Sequence, residues 1–481
     1  MPREYFNGHI FKKGTFITPL NQINQLQLAN WSHDRMPEYL WLGLILDCFE
    51  RTTGLEKCGK LLKKLQELST MVNAPKISQI LDLSQEKQEE FYRFIIQTVG
   101  VIPLQPLNLL LTTTDYPAFA AAFSQDKIKP DELLTRLVQG MKSCYGHQTE
   151  TATDIRFLII YFQLISGRLN VPEDICKKVI RYPYTPHSDE AMKELRPLVR
   201  SMEGFDLSGK NDSFINYFWE AISGMCECEL TYFSFEEAQP DTTSFMNLAE
   251  KQLQFYVEVL SVARTTDNKM LVLLGIATYA FKRIKELVKH DLFHTISGRT
   301  IVRCIIECYI MMKYLCQEED NKPSIWTDYQ DYGLGQYKLI LKRIDEDMAD
   351  MSDSHLNVEL MKLWVNQRID EKFLNMDTNY FDKQGIREKS QAVSEKDLWS
   401  HYYDYDSAFE HGLWGAIRES SMLDCASVAH QYHFVPDIED RIRLKSVWAD
   451  CKMAMTKILD FLGEIYGYPE GFPIFGGAGN E

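Results

Sequence analysis

Residues 297–316 read S-G-R-T-I-V-R-C-I-I-E-C-Y-I-M-M-K-Y-L-C, and this stretch decides how the rest of the chain is read. Arg299, Arg303 and Glu307 interrupt a largely apolar run and step by four along one face of an ideal helix. Ile301, Val302, Ile305, Ile306, Tyr309, Ile310 and Met312 take up nearly every other direction. At least Arg303 and Glu307 must then be partly buried, and a buried charge has to be paired. Two readings follow. The pair is either a structural ion pair that specifies which helices meet, or Arg303 is a planar fork for phosphate held in place by Glu307. Arg299, nearer the helix start, could serve either purpose.

Outward from this helix, three- and four-residue apolar spacing predicts further long helices over 244–263, 269–292, 329–348, 356–374, 405–417 and 438–466. Short joints between such lengths favour an up-and-down bundle. The N-terminal half predicts a stack of shorter helices at 36–51, 55–72, 85–98, 131–145, 154–167 and from 213 towards 226, the first with Pro37 in its opening turn. Turn formers accumulate at 168–213, and Pro240 marks the main boundary, giving an N-terminal helical domain at 1–238 and a C-terminal bundle at 239–481. The fold class expected is all-α. Residues 231–235 could pair briefly as a strand, 1–34 read as an irregular arm, Y-G-L-G-Q-Y at 332–337 reads as a kink or turn, and the tail F-G-G-A-G-N-E reads as frayed.

The chain has 481 residues, too many for one compact core, and a formal net charge of −16. That balance argues against nonspecific phosphate neutralisation by clustered Lys and Arg, while leaving room for a small local basic site. Eleven cysteines spread through apolar sequence read as small buried hydrophobes in a reducing compartment. With no signal-peptide core at the start and no run of about 18 apolar residues, the expectation is a soluble cytoplasmic protein without membrane contact.

The segment H-Y-Y-D-Y-D-S-A-F-E-H-G-L-W-G-A-I-R, 401–418, supplies a possible partner for Arg303. Asp404, Ser407 and His411 fall at three- and four-residue spacing on one helical face, with Glu410 beside them and Tyr403 just before. A near-neutral His beside carboxylates suits general acid or base work, and a nearby Arg could stabilise a pentacovalent phosphate. The bland alternative is a hydrogen-bonded core histidine between Phe409 and Leu413.

R-x-x-x-E in an apolar frame, followed about a hundred residues later by Ser407-x-x-x-His411, resembles uncharacterised bacterial proteins with a C-terminal HEPN-like helical domain. The stretches W-S-H-D-R-M-P-E-Y-L-W-L-G-L-I-L-D (31–47) and F-W-E-A-I-S-G-M-C (218–226) resemble segments of the same proteins. That group includes metal-independent ribonucleases of toxin, abortive-infection and phage-defence systems, usually dimeric. The resemblance implies an RNA substrate cleaved by 2′-hydroxyl attack, His411 moving the proton, Arg303 on the phosphate, no cofactor, a homo-oligomer and a partner protein of a defence system. The group's signature, Arg and His separated by four to six intervening residues, is absent at Arg303 and Arg299. It occurs at Arg283 to His290 in a helical context, and at Arg181 to His187 and Arg3 to His9 in irregular ones. About one such hit is expected by chance from this composition. Arg283 and His290 are therefore a second-choice pair, and a noncatalytic scaffold stays open.

A third reading is metal-dependent hydrolysis at H-D-L-F-H, where His290 and His294 would stand one helical turn apart as zinc ligands with Asp291 as base. Cys226 and Cys228 lack a second pair at finger spacing and read as inert; nothing in the sequence around His430 and His433 marks them as ligands. No phosphate loop, G-x-G-x-x-G or G-x-S-x-G is present, which leaves nucleotide hydrolysis and serine esterase chemistry without support.

Overall fold

The computed structural model describes residues 8–17, 30–124, 128–203, 209–235, 237–367, 381–382 and 384–471. The predicted tail and Arg3 fall outside these residues, as does most of the second half of the helix expected at 356–374. The fold is all-α, with short strands only among the described residues. The chain divides into two compact units, Met1–Leu230 with Cys425–His433, and Thr231–Asp424 with Phe434–Glu481. A boundary drawn from composition at Pro240 misses the return of 425–433 to the first unit, because only long-range pairing creates it.

The first unit is built on the helix Met36–Leu46, every residue of which is buried. Its one charged residue, Glu38, accepts from the Ser78 amide at 3.1 Å and hydroxyl at 2.8 Å, and a helix otherwise apolar on every face is interior. The helices Arg51–Leu68, Pro130–Tyr145 and Glu150–Ile165 pack against it. Asp154 is buried among them and fully matched: Arg51 pairs with it at 2.9 Å, Tyr182 donates to it at 2.7 Å and His187 lies 3.2 Å away. His187 is thereby a half-buried partner of Asp154.

In the second unit the helix Ile296–Glu318 is the hub. Thr295 caps it, its hydroxyl accepting from the Gly298 amide at 3.2 Å. A Cβ on Gly298 would stand 2.4 Å from the Leu292 carbonyl oxygen, so only glycine permits this tight entry. Against the hub pack Asn268–Lys289, Trp448–Tyr466 and the segment 398–410. Ile301, Val302, Ile305, Ile306, Ile310, Met312 and Leu315 are buried at this junction.

Three expected helices differ. The one at 269–292 ends at Lys289, followed by Asp291 in the left-handed region at φ 51°. The one at 438–466 begins at Trp448. The one at 405–417 is two pieces, the helix Asp404–Glu410 and Trp414–Ser421, preceded by a π turn Leu398–Tyr403. Gly412, at φ 58°, ends the first piece with a Schellman cap, in which the Leu413 amide reaches Ala408 and the Gly412 amide reaches Phe409. The 332–337 stretch, by contrast, lies inside the continuous helix Ile325–Glu346.

Candidate functional site

Along the hub helix, Arg303, Cys304, Glu307 and Cys308 are the half-buried residues between two buried faces. They form one wall of an open cleft of about 900 Å³. The facing walls come from Asn268–Lys289 and Ile325–Glu346, which contribute Tyr279, Tyr329, Tyr332 and Tyr337 together with Leu271 and Ile276. Gly275 and Gly333 also line the cleft, and nothing stands within 4 Å of a Cβ built on either. Side chains at these two positions would project into that open space, which glycine leaves unfilled.

Arg303 donates from Nη2 to the Tyr403 hydroxyl at 2.6 Å, and that hydroxyl donates to Glu307 Oε2 at 3.4 Å. The direct Arg303 to Glu307 approach is 3.7 Å, an ion pair without a close hydrogen bond. The guanidinium carbon also lies 4.5 Å from the Tyr403 ring centre. Burial and the Glu307 carboxylate hold the Tyr403 phenol above its ordinary range, so it stays a neutral donor. Among the described residues Arg303 therefore uses one of its donors in a short bond, and the side chain keeps 20% exposure on the cleft wall. That is a guanidinium with donors left for an anion.

Cys304 adds a second chemical feature. A hydrogen bond from Cys308, the field of Arg283 and a hydrogen bond from Tyr279 bring its thiol down to about 7, against burial and the Glu307 charge. Cys308 is correspondingly raised. Expected to be an inert apolar filler, Cys304 is the most acidic thiol on the cleft wall. The sequence signal was available: R-C-I-I-E-C places two adjacent i, i+4 columns on one side of the helix.

The remaining sequence candidates are placed differently. Arg299 is buried and spent on the carbonyls of Lys445, at 2.6 Å, and Phe293. The segment 398–410 does pack on the hub helix, but with Tyr403, Asp406 and Phe409 inward. Asp404 and His411 are exposed and Ser407 is half-buried, accepting only the His411 amide through its carbonyl. The buried column Tyr403, Asp406 and Phe409 is the inward side, so the column beside it, Asp404 and Ser407, faces outward, and His411 lies past the last helical residue. No hydrogen bond or ion pair joins His411 to Arg303 or Glu307 among the described residues.

Asp406 is the residue the sequence reading passed over. It is 4% exposed, and burial pushes its carboxyl up to about 7 despite the opposing field of Arg299. Asp450, close to the same guanidinium, is also raised by burial.

Arg283 pairs with Glu286 at 2.5 Å, and His290, seven residues on, is exposed at the end of its helix. The helical zinc pair does not form as expected, because the chain breaks at Asp291 between His290 and His294. His294 is buried, with Nδ1 2.8 Å from the Leu444 carbonyl oxygen.

Residues 270–427, a third of the chain that contains the whole cleft wall, match a family of unknown function (DUF5677). No curated protein and no solved structure matches the chain. No helix among the described residues is long and apolar enough to cross a membrane.

Proposed function

We propose that the cleft of the second unit takes a nucleotide-sized phosphate ester, with a single-stranded RNA segment as the substrate class. The observation that carries this is Arg303, held by Tyr403 and with donors unspent, on the wall of an open tyrosine-lined cleft. A guanidinium fork suits phosphate oxygens, and aromatic faces accept bases without sequence preference, each stacked base contributing about 1–3 kcal/mol. The volume lies within the usual range for small-ligand sites.

The reaction this arrangement supports is cleavage by internal transesterification, with Glu307 rather than His411 as the proton acceptor. The 2′-hydroxyl gives its proton to the Glu307 carboxylate as its oxygen bonds to phosphorus. Arg303 meets the charge that accumulates on the five-coordinate phosphate. The bond from phosphorus to the 5′-oxygen breaks, and that oxygen takes a proton from water, leaving a 2′,3′-cyclic phosphate and a 5′-hydroxyl. Tyr403 touches no substrate and acts by positioning Arg303. A cytoplasmic effector of a defence system, working as a homo-oligomer, is the setting that agrees with this chemistry.

Purified chain incubated with 5′-labelled RNA, without added divalent metal, tests the reading. Products ending in cyclic phosphate are expected from the wild type and from His411→Ala, and none from Arg303→Ala or Glu307→Gln. Wild-type protein that neither cleaves nor retains the labelled RNA contradicts it. A second reading, in which the ion pair only packs helices, is favoured by the Tyr403 bridge itself. It predicts that Arg303→Ala costs about 1–2 kcal/mol of stability and changes nothing else.

A further inference from the structure

The hairpin whose strands are Met422–Cys425 and Phe434–Pro436 pairs in antiparallel register, Asp424 opposite Phe434. One step further, the Cys425 amide bonds to the His433 carbonyl at 3.2 Å, so those two residues face each other at the neck of the 425–433 tip. The tip folds back on itself, the His430 amide reaching Ser427. Cys228 arrives from the segment that follows the helix Asp212–Ser223, where Glu229 accepts the Ala426 amide at 2.8 Å. All four residues belong to the first unit.

Their ligand atoms lie within 4.8 Å of one another. The Cys228 Sγ is 3.6 Å from His430 Nδ1 and 3.5 Å from His433 Nδ1, and the Cys425 Sγ is 3.3 Å from His430 Nδ1. A tetrahedron with zinc–sulfur bonds of about 2.3 Å and zinc–nitrogen bonds of about 2.0–2.1 Å has sulfur-to-nitrogen edges of about 3.6 Å. The three sulfur-to-nitrogen spacings above, 3.3 to 3.6 Å, come within about 0.3 Å of that edge.

The second observation concerns the far side of the imidazole. His430 is buried, and its Nε2 lies 3.1 Å from both the Ser223 and the Cys226 carbonyl oxygens. Two acceptors there require the proton on Nε2, which leaves the Nδ1 lone pair directed at the two sulfurs. Backbone carbonyls that set the tautomer of a ligating histidine are the usual outer support of a metal centre. The two imidazoles stand nearly perpendicular, with ring centres 5.0 Å apart, as two corners of one polyhedron can.

We propose that Cys228, Cys425, His430 and His433 bind one zinc ion as a closed structural site. Two sulfur and two nitrogen ligands in tetrahedral array select zinc over the oxygen-seeking divalent cations, and four protein ligands leave no open position for a reacting water. Binding displaces two thiol protons and staples the hairpin tip to the segment after Asp212–Ser223, which no other covalent or coordinate link joins to it. Neither Cys228 with Cys425 nor His430 with His433 has finger spacing to its partner, since almost two hundred residues separate the cysteines.

Metal analysis of the purified full-length chain should give one zinc per chain. Cobalt added to chelator-treated protein should produce the intense visible bands of tetrahedral cobalt and a near-ultraviolet thiolate-to-cobalt band. Cys228→Ser and His433→Ala should each lose the zinc and the cobalt spectrum, whereas Cys226→Ser, which changes the neighbouring thiol, should keep both. The wild-type cobalt titration stands even where a ligand variant fails to fold. Absence of stoichiometric zinc together with an octahedral cobalt spectrum in the wild type overturns the proposal. So does zinc that survives Cys228→Ser combined with Cys425→Ser and is lost in His290→Ala.

Discussion

Replacing Asp406 with Asn should change how stability depends on pH, in a direction and by an amount the structure sets. Asp406 is 4% exposed, faces Arg299 and lies near Asp450, Arg303 and Cys451. Its carboxyl is raised from 3.8 to about 7 because burial outweighs the Arg299 field. The folded chain thus keeps a proton that the unfolded chain releases above pH 3.8. The Asp406 contribution to stability is fully present below that value, is lost as the pH rises to about 7, and is flat beyond. At 1.36 kcal/mol per pH unit the whole fall is about 4 kcal/mol. Asn is nearly isosteric and cannot ionise, so it removes this dependence. Urea unfolding of both proteins from pH 4 to 8.5 isolates the effect, since every other group titrates alike in the two. The variant should gain on the wild type with rising pH, most of the gain lying between pH 4 and 7, and should be the more stable at pH 8. A difference that does not vary with pH, or a wild type that gains on the variant as the pH rises, would mean that Asp406 is ionised in the fold and that Arg299 dominates.

Alkylation of Cys304 by iodoacetamide should follow a midpoint near pH 7, lower in Glu307→Gln and higher in Tyr279→Phe; a midpoint at 9 or above removes its partners from the account. Gly298→Ala should destabilise the second unit by about 1–3 kcal/mol, because its methyl group meets the Leu292 carbonyl; unchanged thermal unfolding refutes that contact. RNA affinity should fall only gently with salt, with a log–log slope of about −0.7 for one phosphate contact on a single strand. A slope several times steeper would point to a basic surface beyond the cleft.

How much of this was legible in the sequence depends on the range of the forces involved. The all-α fold was, because helical periodicity is local and the apolar frame around Arg303 and Glu307 is strong. The partial burial of that pair followed from the same pattern. The inward face of 398–410 was not: Asp404, Ser407 and His411 share a face by spacing, but the hub helix packs on the neighbouring column Tyr403, Asp406 and Phe409, and only tertiary contact decides between the two. The break at Asp291 similarly separates His290 from His294. The zinc ligands were beyond reach for another reason. Cys228 meets His430 and His433 only through strand pairing and backbone carbonyls distant in sequence, which no spacing rule encodes. The acidity of Cys304 depends on Tyr279 and Arg283 from a neighbouring helix, although the column it shares with Cys308 was visible.

The central claim is that Arg303 grips a phosphate in the tyrosine-lined cleft, and the most direct measurement is equilibrium binding of a fluorescein-labelled hexauridylate to wild-type protein and to Arg303→Ala. Loss of a charge-assisted phosphate contact of about 1.5–3 kcal/mol should weaken binding by roughly 10- to 150-fold, with Tyr403→Phe intermediate and His411→Ala unchanged. Equal affinity in wild type and Arg303→Ala, with both proteins folded, would contradict the account.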